Sequence, residues 1–403
     1  MGTEGTGDAP AHQGRKASHA LDTLAVHSGD APDLNAGAVV PPIYQTTTFR
    51  FPAEFSEARE KGEVHLYTRH RNPSQSRAAE AIATLEGAEA GRVFSSGMAA
   101  LSSVFFSLLR AGDEVVALED LYGNTFSLLR ELSERWHLSV RWVRAEESAS
   151  VDQIVTPKTR LLLLESPTNP TLRVHDLDRW ARAAAAVGAP LVVDNTFATP
   201  VNQRPLAHGA TLVMHSATKY LGGHSDVIAG ALVGSSAMLE GMDTMFHSLG
   251  GSLDPFAAFL LSRGIKTVGL RVHRQNETGR AVAEELARHP RVGRVCYPGS
   301  ASAEEERIAA RQMSGRGGMV SIVLQGGAPA AHRFMHALTL VQPASSLGGV
   351  ESLASVPAET SHRQLTPEER QRRGIDDGMV RLSFGIEDPA DLLADLREAL
   401  RTI

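Results

Sequence analysis

RLLLLESPTNP (160–170), PLVVDN (190–195) and TLVMHSATKYLGG (211–223) decide the fold of this 403-residue chain. Each carries a short, nearly continuous apolar run that ends abruptly in small or polar residues, the pattern of a strand buried on both faces. Working outward, GRVFSS (91–96), DEVVAL (113–118), LSVRWV (138–143) and VIAGALVG (227–234) repeat the theme. Helical stretches lie between them, such as Met98–Arg110, where Met98, Leu101, Phe105 and Leu108 share one face. Strand–helix alternation of this kind predicts an α/β protein with a parallel central sheet and right-handed crossovers. Ligands on such sheets bind beyond the carboxyl ends of the strands, so the residues just after each run carry the functional information.

Three of those strand ends stand out. Ser95-Ser96-Gly97-Met98 opens a helix, and small residues there let backbone N–H groups face an anion, although a plain N-cap and tight turn give the same tetrad. Asp194 closes the 190–195 strand, where its carboxylate needs a cationic or hydrogen-bonding partner or caps Asn195 or Thr196. Ser216-Ala217-Thr218-Lys219 follows the 211–216 strand. Burial of Lys219 would lower its pKa and yield a nucleophilic amine, and the hydroxyls beside it suit a phosphate, whereas a surface lysine explains the same residue without function. Together these ends offer an anion cradle, a carboxylate and an amine at one edge of one sheet. A phosphate, a pyridinium nitrogen and an aldehyde are the complementary handles of pyridoxal phosphate.

Composition narrows the class. Forty Lys plus Arg against 46 Asp plus Glu give a net charge of −6, which argues against a nucleic-acid footprint. The single cysteine, Cys296, excludes an intrachain disulfide framework. No apolar run approaches the roughly 18 residues of a membrane span. Sixteen histidines include no H-E-x-x-H, and paired cysteines are lacking, so no metal is expected. Residues 1–20 read as a disordered tail without a secretory apolar segment, which predicts a cytoplasmic location. Gly2 with Thr6 matches a myristoylation pattern and Asn276-Glu277-Thr278 a glycosylation acceptor, and both are read as incidental. Residues 256–290 read as a long helix interrupted at Gly264 and Gly269. Beyond them MVSIVL (319–324), MVRLSFG (379–385) and the amphipathic PADLLADLREALR (389–401) predict a smaller α+β unit.

Longer motifs connect these pieces: VVPPIYQTTTF (39–49), YTRHRNPS (67–74), FSSGMAA (94–100), LYGNT (121–125), ESPTNP (165–170), VVDNTFATP (192–200), HSATKYLGGHSD (215–226), SRGIKTVGLR (262–271), SSLGGVESL (345–353) and VRLSFGIED (380–388). From about Thr23 to the C-terminus the chain resembles the cysteine/methionine-metabolism family of pyridoxal-phosphate enzymes. That resemblance implies the aspartate-aminotransferase-like fold type I, with a mostly parallel central sheet and a smaller α+β C-terminal domain. It apportions the chain into an arm over 21–66, a cofactor domain over 67–263 and a C-terminal domain over 264–403.

By the same resemblance Lys219 carries the cofactor and moves the substrate's α-proton, Asp194 holds the pyridinium nitrogen, and Tyr122 stacks on the ring and handles protons at the leaving group. Ser96, Gly97, Met98, Ser216 and Thr218 bind the phosphate, with Tyr67 and Arg69 reaching the same phosphate of a neighbouring subunit. A homodimer is then the minimal active unit, and a tetramer of two dimers the expected assembly. Arg381 clamps the substrate's α-carboxylate, and Asn169 and Ser346 orient cofactor and carboxylate. The implied activity is γ-elimination from a sulfur amino acid of the methionine, homocysteine or cystathionine type, or alternatively γ-replacement of the cystathionine γ-synthase or O-acylhomoserine sulfhydrylase type.

The chain departs from the family pattern at informative places. Family members that handle cystathionine often carry acids just before the Tyr67 and Ser346 positions, where this chain has Leu66 and Ser345. Methionine γ-lyases carry a cysteine where it has Asn124. Loss of two carboxylates predicts an uncharged γ-substituent. The basic run His65–Arg71, with His65, Arg69, His70 and Arg71, reads as a solvated loop or, alternatively, as favouring an anionic leaving group. Ser216 with Lys219 also fits S-x-x-K of serine acyl-transfer enzymes, but the accompanying S-D-N and K-T-G strings fail at Ser225-Asp226-Val227 and Lys266-Thr267-Val268.

Overall fold

The computed structural model describes residues 19–30, 33, 36–52, 54, 56 and 65–403. The tail reading, with Gly2 and Thr6, lies outside these residues apart from its last two positions, as do parts of the expected arm. All seven predicted strands form one sheet: β1 (Ala90–Phe94), β2 (Glu114–Leu118), β3 (Ser139–Val143), β4 (Thr159–Glu165), β5 (Leu191–Asp194), β6 (Leu212–His215) and β7 (Gly230–Gly234). Their order is β1-β7-β6-β5-β4-β2-β3.

Neighbours from β6 to β3 pair parallel, but β7 runs antiparallel to both β1 and β6. The parallel expectation fails at β7 because no helix spans 216–229: that segment turns over the sheet edge and re-enters directly, which reverses the strand.

Alternation along the strands divides the core. Leu212, Met214 and Leu232 pack into one apolar layer with the helix Gly97–Leu108, while Val213, Ala231 and Val233 pack into another with the helices Pro73–Glu86 and Pro255–Ile265. Coverage of both faces is what the continuously apolar strands demanded. A second sheet holds β8 (Val292–Cys296), β9 (Met319–Leu324), β10 (Gln342–Pro343), β11 (Leu353–Ser355) and β12 (Met379–Ser383) in the order β10-β11-β12-β9-β8. Its core joins Val320, Ile322, Val380 and Leu382 to the helices Gly327–Ala337 and Pro389–Leu400. The helix Val268–Leu286 links the two cores, with Val268 and Val272 in one and Val282 and Leu286 in the other.

Gly264 and Gly269 do not interrupt helices, contrary to the sequence expectation. The break falls at Lys266–Thr267, between Pro255–Ile265 and Val268–Leu286. A Cβ on Gly264 would lie 2.1 Å from the Gly222 carbonyl oxygen, and one on Gly269 would lie 1.7 Å from Asp22 Oδ1. Close tertiary approach, not helix termination, requires these glycines. Among the described residues, no helix is long and apolar enough to cross a membrane.

Candidate active site

The sheet order places β4, β5 and β6 side by side, so the residues at their carboxyl ends converge. Glu165 and Asp194 are register partners at the last positions of β4 and β5, and Ser216 to Lys219 follow β6. Because β1 runs in the same direction as β6, its exit also opens at this edge. There Gly97 lies so close to Ser216 that a Cβ would sit 3.1 Å from both Ser216 Cα and Cβ.

A cavity of about 660 Å³ occupies this mouth, lined among others by Gly97, Tyr122, Asp194, Lys219, Ser346 and Arg381. Ser96, Met98, Asn169, Ser216 and Thr218 line it too. The structure therefore gathers these predicted residues around one space, across some 285 positions of sequence from Ser96 to Arg381. Tyr67 and Arg69 do not line it. Arg69 instead sits with its Cζ 5.6 Å from the Tyr67 ring centroid and donates from Nη1 to the His247 carbonyl at 2.5 Å.

Each wall has a local cause. Ser96 is the N-cap of the helix Gly97–Leu108, its Oγ accepting from the Ala99 N–H at 3.1 Å. Capping uses one lone pair of this hydroxyl and leaves its O–H to donate, while the N–H groups of the first turn have no intrahelical acceptor and offer an anion site. Thr218 exchanges hydrogen bonds with Ala229, its Oγ1 donating to the carbonyl at 3.1 Å and accepting from the N–H at 3.0 Å. Asp194 uses one oxygen, Oδ1, to accept both the N–H and the hydroxyl of Thr196, at 3.0 and 2.5 Å. One carboxylate oxygen thus serves the capping role and the other remains for a ligand. Burial pushes the Asp194 carboxyl upward, opposed by the Thr196 hydrogen bonds and by His215.

Lys219 donates from Nζ to Ser346 Oγ at 2.8 Å. Burial, then the Arg381 charge, lowers its amine to about 8. Arg381 extends from β12, donating to Asn169 Oδ1 at 2.9 Å and to the Ser346 carbonyl at 3.1 Å. Its Nε is buried without a partner, and desolvation lowers the guanidinium to about 10. A cation held by neutral acceptors in a buried wall is suited to an incoming carboxylate.

Glu165 is the residue that sequence reasoning missed. Its Oε2 accepts the Tyr122 N–H at 2.7 Å and its Oε1 the Asn169 N–H at 2.9 Å, so one buried carboxyl positions two predicted site residues. Desolvation and the neighbouring Asp194 charge push it well above the usual carboxylate range. The available signal was an acid ending a buried strand, the same signal that marked Asp194. Thr196, two residues after Asp194, was equally visible.

The donor set fits pyridoxal phosphate: a glycine-tight helix start beside hydroxyls for a phosphate, a buried carboxylate with a free oxygen, and an amine near neutrality. The sequence model of the Cys/Met metabolism PLP-dependent enzymes matches residues 22–401. The chain belongs to this family.

Within the family, the chain is 46% identical over 387 residues to an L-methionine γ-lyase of Pseudomonas putida, covering 94% of this chain and 96% of that one. It is 42% identical over 379 residues to a cystathionine γ-synthase of Mycobacterium tuberculosis, with coverage of 94% and 96%. A solved cystathionine γ-synthase of Xanthomonas oryzae pv. oryzae, in complex with cystathionine, superposes with a TM-score of 0.90 at 39% identity, covering 95% of this chain and 98% of that one. The protein is thus a pyridoxal-phosphate-dependent enzyme of the γ-lyase and γ-synthase family, and the fold is theirs. Against this background the S-x-x-K reading has no support, since Ser216 follows a strand and the Lys219 amine bonds Ser346.

Proposed function

We propose that the protein catalyses α,γ-elimination from sulfur amino acids of the methionine, homocysteine or cystathionine type. Water is consumed, the Cγ–S bond breaks, and an α-keto acid, ammonia and a thiol are released. Pyridoxal phosphate supplies the electron sink for the α-carbon when bound. Lys219, lowered to about 8 by burial, is the residue to move the Cα proton. The two Arg381 bonds to Asn169 and Ser346 fix the guanidinium plane for the substrate's α-carboxylate. Tyr122 receives a hydrogen bond from Asn124 Nδ2 at 3.3 Å, which leaves its own O–H free to donate to a departing sulfur.

The observation that carries elimination over replacement is the cavity wall. Ser345 lines it where an acid would meet a distal ammonium, and a methionine γ-lyase relative reaches 46% identity. γ-Replacement of the cystathionine γ-synthase or O-acylhomoserine sulfhydrylase type is the second reading, favoured by the γ-synthase relatives at 42%. Both use the same residues, so product decides. The cofactor-loaded enzyme is given methionine, homocysteine, cystathionine, cysteine, and O-acylhomoserine with a thiol, and keto acid and thioether are assayed. Keto acid from the sulfur amino acids supports elimination, whereas thioether with negligible keto acid establishes replacement.

We further infer a homodimer as the minimal active unit, with Tyr67 and Arg69 serving the partner's cavity and a tetramer formed from two dimers. Their position outside the cavity of their own chain supports this reading. Mixing Tyr67→Phe protein with Lys219→Ala protein should restore part of the activity, and no restoration would contradict shared sites.

A further inference from the structure

The far wall of the cavity is formed by residues 359–364, and its chemistry is not used by any role assigned above. Glu359, Thr360, Ser361, Arg363 and Gln364 all line the space. The segment is pinned: the His362 N–H donates to the Pro357 carbonyl at 2.9 Å, the Leu365 N–H donates to the His362 carbonyl at 3.1 Å, and the His362 side chain is buried. It packs against the residue that follows Tyr122. A Cβ on Gly123 would lie 1.9 Å from Gln364 Nε2 and 2.5 Å from the Ser361 carbonyl oxygen. The wall therefore stands directly beside Tyr122 and Asn124, at the end of the cavity where a γ-substituent would lie if Tyr122 serves the leaving group.

The two charges on this wall differ in availability. Glu359 is engaged by His332 Nε2 at 2.6 Å. Arg363 has no hydrogen bond or ion pair with any described residue and is solvated at the cavity rim. Arg381, the other arginine in the wall, is committed to Asn169 and Ser346. A free guanidinium held on a rigid turn offers a planar, bidentate donor pair for a carboxylate. Ser345 and Asn124 line the cavity without an acid, and the one acid of this wall, Glu359, is engaged by His332.

We propose that Arg363 is a specificity-determining residue that selects substrates whose γ-substituent ends in a carboxylate. This goes beyond the substrates proposed above, since methionine and homocysteine carry no such group and cystathionine adds an ammonium, and it rests only on that reading's placement of the γ-substituent beside Tyr122. It replaces the sequence expectation of an uncharged substituent with an anionic one, while keeping the expectation that no distal ammonium is favoured.

Binding tests the proposal without turnover, so its failure is distinct from failure of the elimination reading. The cofactor-loaded enzyme is titrated by calorimetry with L-2-aminopimelate, which has a terminal carboxylate, and with L-2-aminooctanoate, which is nearly isosteric and lacks it. The wild type should bind the aminopimelate more tightly. Arg363→Ala should weaken aminopimelate about 10- to 100-fold and leave aminooctanoate within about threefold, the scale of one charge-assisted hydrogen bond pair. Arg363→Lys should restore part of the preference. Equal loss for both ligands, or no change for either, overturns the proposal, as does a wild type that prefers aminooctanoate.

Discussion

Lys219 and Ser346 meet through a 2.8 Å hydrogen bond that joins the exit of β6 to a segment of the C-terminal part of the chain. Ser346 holds φ at 95°, a conformation that L-residues rarely adopt. Such strain persists where surroundings impose it. Here the Ser346 carbonyl is held by Arg381, and Gly348 two residues on is wedged against Tyr220, where a Cβ would lie 2.8 Å from the Tyr220 nitrogen. The strained backbone aims the hydroxyl at the amine.

Ser346→Ala should keep that backbone and lose only the hydroxyl. Its kcat/KM should fall about tenfold, the value of one hydrogen bond to a charged group, with cofactor occupancy unchanged. Steady-state kinetics and the visible band of the bound cofactor check both parts.

Lys219 should make cofactor capture pH-dependent. Its folded pKa of about 8 lies below the unfolded value of 10.5 because burial, then Arg381, disfavours the ammonium. In the cofactor-free protein the unfolded chain binds more protons between these values, so this group's contribution to stability rises with pH across that window and is least favourable below about 8. The rate of reconstitution with pyridoxal phosphate should rise with a midpoint near 8. Arg381→Met, which removes one cause of the shift, should move that midpoint upward. A stopped-flow pH series measures both.

Glu165→Gln should disturb two site residues at once. The Tyr122 and Asn169 N–H groups each use a separate oxygen of Glu165, and the amide replaces one acceptor with a donor facing an N–H. Burial of that mismatch should cost about 1–3 kcal/mol of stability. The kcat should fall more than the cofactor affinity, because Tyr122 and Asn169 shift while Lys219 and Asp194 remain. Denaturant melts and kinetics on the same protein check the pair of effects.

Arg373 sits between the two parts of the chain, 3.6 Å from Glu119 and with its Cζ 4.2 Å from the Phe126 ring centroid. Asp120, two residues before Tyr122, is raised to about 6 by burial, against the opposing pull of Arg373. Since the folded protein holds that proton more tightly than the unfolded one, Asp120 lowers stability as pH rises from about 4 toward 6. Arg373→Leu should destabilise the protein at pH 8, though by less than the loss of a sole buried partner, because Glu119 keeps its ion pair with Arg372. The loss should be greater at pH 8, where Asp120 must ionise without its cation, than at pH 5. Denaturant melts at the two pH values decide the sign.

Much of the site was legible because each strand end is a local feature: Asp194 directly follows an apolar run, and Ser216 and Lys219 lie within five residues of the next one. Glu165 follows one too, but its position does not tell a residue that binds a ligand from one that holds Tyr122 and Asn169 by their backbones. Arg363 carried no signal, since a guanidinium in a polar loop is ordinary until the loop is placed against Gly123.

The sequence by itself determined the seven strands, because period and apolarity are properties of consecutive residues. It also determined which side chains would sit at the strand ends. Only the tertiary structure decided the direction of β7, since a strand's pattern reads the same either way. It alone showed why Gly264 and Gly269 lie within helices, because Gly222 and Asp22 come from distant segments. It alone set the segment that carries Arg363 against Gly123 and brought Arg363 to the same cavity as Tyr122. Contacts between remote segments depend on how the chain returns on itself, and no local pattern encodes that distance.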